Sequence, residues 1–140
     1  MGFEYLDHPG DIGIRAWGES LEGAFCDAAR AVFALMADLK LVDPTVRQGV
    51  RVEARTLDGL LVEWLAALLA EKDISGLIFS DFEVSIEGGR SGYALIGAAL
   101  GEPLDPERHP TGTEVKGISY LGLAVKKTAQ GWIAECIVDV

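Results

Sequence analysis

A chain of 140 residues, 49% hydrophobic and 24% charged, has length and apolar material for one domain, residues 1–140, with a real core. Its 22 Asp and Glu against 12 Lys and Arg leave a formal charge of −10. That balance argues against direct, unaided binding to a phosphate backbone, which calls for clustered cations, and suits a basic partner or a metal ion instead.

Leu6-Asp7-His8-Pro9-Gly10-Asp11 places two carboxylates and an imidazole around a Pro-Gly turn. The chain then alternates, with Ile12, Ile14 and Ala16 on one face of a strand and Gly13, Arg15 and Trp17 on the other. After Gly18-Glu19-Ser20, a stop and an N-cap, the spacing of Leu21, Ala24, Phe25, Ala28, Val32, Leu35 and Met36 predicts a helix ending near Asp38. A carboxylate at that end opposes the helix dipole, so Asp38 reads either as a solvated loop residue or as one compensated by a nearby cation. Val50–Arg55 alternates as a half-buried strand. A second helix follows, with Leu57, Leu60, Leu61, Trp64, Leu65, Leu68 and Leu69 on one face and alanines behind. It is expected to be core, sandwiched on two sides, rather than a partner surface.

From Leu77 onward the pattern is all strand. Phe82, Val84 and Ile86 alternate with charged and polar residues, and Gly88–Gly92 turns the chain into Tyr93–Leu100. Residues 101–110, with three prolines, read as a loop. Thr113–Tyr120, Leu123–Lys127 and Trp132–Val138 complete the strands, and Val140 ends the chain given. The expected class is α+β, with two helices packed on a largely antiparallel sheet or sandwich.

Nucleophilic catalysis is poorly served by two histidines, His8 and His109, and by the lack of a Gly-x-Ser-x-Gly elbow. Cys26 and Cys136 lack a Cys-x-x-Cys spacing and read as small buried thiols. Gly88-Gly89-Arg90-Ser91-Gly92 lacks the Gly-Lys-Ser/Thr ending of a phosphate loop. His8 reads as a structural hydrogen-bonder or a metal ligand, and Lys116 as the wet face of a strand. Met1-Gly2-Phe3-Glu4 lacks a basic signal-peptide start, and the longest apolar run carries Glu63 and Glu71. A cytoplasmic protein without membrane association is expected. The best constellation is acidic: Asp7, Asp11, Asp38 and Asp139. If the strands at the two ends of the chain pair antiparallel, Asp11 faces Asp139 and the carboxylate of Val140. Oxygen-only donors favour Ca²⁺, with Mg²⁺ or Mn²⁺ as alternatives.

Taken in order, several stretches resemble the archease family across nearly the whole chain. They are Leu6–Ala16, Leu35-Met36-Ala37-Asp38, Trp64-Leu65, Gly76-Leu77-Ile78-Phe79, Gly101–Pro106, Gly112-Thr113-Glu114-Val115-Lys116 and Val138-Asp139-Val140. The resemblance implies a non-enzymatic accessory protein that binds a divalent cation. Its implied partner is the GTP-dependent RNA ligase of tRNA splicing and RNA repair, whose guanylylation and turnover it promotes. It also implies a calcium site on Asp11, Asp139 and Val140, with Asp38 near the metal or facing the partner; Asp7, His8 and Lys116 are further candidates for either place. The family's His-Thr-Ala-Asp reads His8-Pro9-Gly10-Asp11 here, and Leu121 follows Ser119-Tyr120 where the family often has histidine. Two readings from other classes are a metal-dependent phosphoester hydrolase with His8 as base, and a chaperone-like module using the Leu-rich helix.

Overall fold

The computed structural model describes residues 2–110 and 112–140; the side chain of His8 lies outside what it describes. Strands β1 (Gly2–His8) and β2 (Asp11–Gly18) form a hairpin, followed by helix α1 (Leu21–Met36) and a single 3₁₀ turn, Leu39–Leu41. Strand β3 (Val46–Ala54) leads to α2 (Leu57–Ser75), then to β4 (Leu77–Gly89) and β5 (Gly92–Pro103). The short β6 (Gly117–Ile118), β7 (Ala124–Thr128) and β8 (Gly131–Asp139) close the chain.

All pairings are antiparallel. One sheet has the order β1-β2-β8-β6, with β7 pairing β8 beyond β6; the other is β3-β5-β4. Both helices bury their apolar faces between the sheets in one continuous core. This is the α+β architecture that the patterning predicts.

Each helix is started by a hydroxyl. Ser20 Oγ accepts from the Gly23 N–H at 2.9 Å, and Thr56 Oγ1 from Gly59 at 3.0 Å. In α2, Leu60, Leu61, Val62, Trp64, Leu65 and Leu68 are buried, so its Leu-rich face is interior rather than a chaperone surface. Trp64 sits at the centre, its indole N–H donating to the Phe25 carbonyl at 3.1 Å. The small residues of β5 let that ring approach the strand, since a Cβ on Gly97 would stand 3.2 Å from it. No helix among the described residues is long and apolar enough to cross a membrane.

Several elements differ from the sequence reading. Residues 2–8 form an additional edge strand, so the strand against β8 is the second of the chain. Its Phe3 and Tyr5 rings pack edge-on, and the Tyr5 hydroxyl donates to the Ala31 carbonyl of α1 at 2.7 Å. Helix α1 stops at Met36, two residues earlier than expected. Residues 113–116 are not strand, because their neighbourhood is committed elsewhere. The Gly112 and Thr113 N–H groups satisfy the terminal carbonyls of Met36 and Leu35, at 3.0 and 2.7 Å. Strand β5 also runs on to Pro103, which is tolerated at the last pair of the ladder, opposite Leu77.

Candidate metal-binding edge of the five-stranded sheet

The turn between β1 and β2 consists of Pro9 and Gly10, and Gly10 takes φ +77°, a left-handed position that glycine occupies without strain. This turn starts β2 at Asp11. The β2–β8 register then runs from Asp11↔Asp139 to Gly18↔Trp132. The hydrophobic pattern enforces it: Ile14, Ala16, Ala134, Cys136 and Val138 are all buried, and a slip of one residue would expose them. The same alternation sends Asp11 and Asp139 to the outer face, directly opposite each other, with Cα atoms roughly 4.5–5.5 Å apart as in any antiparallel pair. Asp11 is half-buried and Asp139 exposed.

Flanking strands complete the row. His8 of β1 stands opposite Asp11, and Gly117 of β6 opposite Asp139. The Lys116 N–H donates to the Asp139 carbonyl at 2.8 Å, and Val140 packs against the core. The strap from Gly112 to Gly117 therefore ties the end of α1 to the backbone of Asp139.

The other acidic candidates are placed differently. Asp7 pairs with Ile12, one step from the row and on the opposite face of the sheet by alternation. Asp38 lies outside the helix, so the dipole conflict does not arise; it caps the 3₁₀ turn, accepting from the Lys40 N–H at 3.1 Å. It lines a shallow depression with Phe3, Leu35 and Pro110 that includes neither Asp11 nor Asp139. The exposed Lys116 side chain lines a separate cavity of about 310 Å³ with Lys72 and His109.

His109, the second histidine, is buried in a structural knot. Its Nδ1 accepts from the Asp105 N–H at 3.0 Å, which leaves Nε2–H to donate to Glu102 at 3.0 Å. Glu102 also accepts from the Asp43 N–H at 2.7 Å and pairs with Arg108 at 3.3 Å. The Asp43 N–H first, and then His109, hold the Glu102 carboxyl below its ordinary value. Neither the end of β5 at Glu102 nor the proline-rich loop after it carries a chemical signal in the sequence beyond the presence of a histidine. Burial pushes the Cys136 thiol up to about 12 and the Cys26 thiol up to about 11, so both stay protonated and inert at neutral pH.

Among the described residues, no group of three His, Cys, Asp or Glu side chains is placed to hold a metal ion. The Asp11–Asp139 pair does suit one chemically. It offers up to four hard oxygen donors on one face at a strand end. As a ligand set for Ca²⁺ it is partial, since that ion takes six to eight oxygens.

Residues 3–140 match the model of the archease protein family (MTH1598/TM1083). "Protein archease" of Pyrococcus abyssi is 42% identical over 139 residues, covering 99% of this chain and 98% of that protein. "Protein archease" of Methanopyrus kandleri is 37% identical over the full length of both. The solution structure of Methanobacterium thermoautotrophicum protein 1598 superposes with a TM-score of 0.88 at 33% identity, covering 99% of each chain. A Thermotoga maritima structure, described as an archease and possible chaperone, shares the fold with a TM-score of 0.60 at 14% identity, over 98% of this chain and 96% of that one. The chain belongs to the archease family.

Proposed function

We propose that this protein is a non-enzymatic activator of the GTP-dependent RNA ligase that joins RNA 2′,3′-cyclic or 3′-phosphate ends to 5′-hydroxyl ends in tRNA splicing and RNA repair. It works in the cytoplasm by promoting the ligase's guanylylation and turnover. The observation that carries the reading is the register that sets Asp11 against Asp139 at the strand ends of the five-stranded sheet. Asp11 and Asp139, beside Val140, would hold a divalent cation, Ca²⁺ first and Mg²⁺ or Mn²⁺ as alternatives. When bound, such an ion supplies positive charge that neutralises the carboxylate pair and leaves coordination positions for a partner's oxygens.

The physical logic is electrostatic. A ligase that binds RNA, GTP and metal has a positively charged active-site mouth, and a protein of charge −10 is steered towards it. The carboxylates present themselves at the edge of a rigid sheet, Asp139 exposed and Asp11 half-buried, so they reach such a mouth without rearrangement. Favouring the guanylylation-competent conformation lowers the partner's barrier without contact to the RNA.

The test is ligase guanylylation, followed with folded Asp11→Ala, Asp38→Ala and Asp139→Ala variants. Stimulation should collapse for Asp11→Ala and Asp139→Ala. Asp38→Ala reports whether the depression it lines is a second contact. Wild-type stimulation by the first two would overturn the metal-site mechanism.

A further inference from the structure

We infer that Tyr120 and Leu121 are the apolar anchor of the surface that docks on the partner protein, with the Asp11–Asp139 pair as its charged half. The inference rests on the function proposed above and names the contact that the carboxylates alone do not supply.

Tyr120 is 71% and Leu121 78% exposed, an adjacent pair of large apolar side chains in solvent. Their backbone is held firmly. The Ser119 N–H donates to the Ile137 carbonyl at 2.9 Å, and the Leu121 N–H to Ser119 Oγ at 3.0 Å. Gly122 then turns at φ +73° directly over Ile137, where a Cβ would stand 2.6 Å from the Ile137 Cδ1. A fixed turn presents its side chains without a large ordering cost on binding, as a preorganised anchor does. Tyrosine is moreover among the residues that dominate interface energetics.

Position links this tip to the carboxylates. Ile137 and Asp139 lie on the same, outer face of β8, because Ala134, Cys136 and Val138 between and before them are buried. Two residues along a strand is about 7 Å. Ser119 bonds to Ile137 while Gly117 pairs with Asp139, so the tip and the acidic row are neighbours on one sheet edge. The occupant is therefore a protein surface with an apolar depression beside cationic or metal-bearing groups, which matches an acidic chain. Such a patch has an apolar centre that sets residence time and a charged flank that sets the association rate.

The test measures binding of the purified RNA ligase, and stimulation of its guanylylation, for the wild type, Tyr120→Ser/Leu121→Ser and Asp139→Asn. Both positions are solvent-exposed, and thermal melting confirms that the variants fold. The double variant should bind about tenfold more weakly or worse, chiefly through faster dissociation, and recover wild-type stimulation at saturating concentration. Its salt dependence should match the wild type, whereas Asp139→Asn should flatten it and fail to stimulate even at saturation. A double variant with wild-type affinity overturns the anchor while leaving the proposed function standing. A wild-type protein that neither binds nor stimulates the ligase overturns both.

Discussion

Two rows of side chains cross the outer face of the same sheet, and they solve the problem of adjacent charge in different ways. In the first, Arg15 of β2 lies between Glu4 of β1 and Glu135 of β8, at 2.9 and 3.3 Å, with Lys126 of β7 beyond at 3.8 Å. Its guanidinium is held charged, first by the hydrogen bond it donates to Glu4 and then by the charge of Glu135. The alternation of sign is complete within the chain. Four residues further along β8, the same two strands set carboxylate against carboxylate at Asp11 and Asp139. Like charges directly opposite cost stability. The first row is a structural element; the second brings two hard carboxylates together, the kind of donor a divalent cation takes.

The sharpest way to break the contrast is to make the second row resemble the first. Asp139→Arg opposes a cation to Asp11 and should remove the response to calcium. In the wild type, Ca²⁺ at about 100 times its dissociation constant should add about 2.7 kcal/mol of stability. This should appear as a melting temperature several degrees higher, reversed by EDTA. The variant should melt at one temperature with or without the ion. A calcium-dependent shift that survives in Asp139→Arg would place the ion elsewhere.

Arg15→Ala tests the first row and should cost less. Arg15 and Glu4 are exposed and Glu135 keeps some contact with solvent, so thermal denaturation should reveal about 0.2–1 kcal/mol, falling further in high salt. The calcium response should persist unchanged, since Arg15 lies outside the acidic row. Glu102 is a carboxylate held by the Asp43 N–H, by His109 and by Arg108. Its folded value is lowered, so the stability it contributes is present above its ordinary value of 4.5 and disappears as the pH falls through the lowered one. Glu102→Gln should therefore flatten the acid limb of the stability curve and leave the melting response to calcium untouched.

What was legible before the structure follows from how strongly each segment is constrained. Strand β8 and strand β2 carry clean period-two patterns, so their faces and register followed from burial, and Asp11 fell opposite Asp139. Strand β1 was not legible because it is an edge strand whose pattern is broken. Leu6 shares the outer face with Glu4, while Asp7 shares the inner one with Phe3 and Tyr5. Residues 113–116 look extended in sequence, yet their strap begins on hydrogen bonds to the end of α1, a long-range partner that no local pattern announces. Asp38 followed the same course, since a 3₁₀ turn of three residues leaves little periodic signal. The apolar pair Tyr120-Leu121 was likewise hidden, because only the fold reveals which large side chains remain outside the core.

The most direct measurement is a calorimetric titration of Ca²⁺ into protein stripped with a chelator, repeated for Asp11→Asn, Asp139→Asn and, as a control on the neighbouring row, Glu4→Gln. The account predicts one ion per chain in the wild type and in Glu4→Gln. In each aspartate variant the affinity should fall by at least the roughly 10–100-fold that loss of a mere supporting partner costs. Undiminished stoichiometric binding in the two aspartate variants would contradict it.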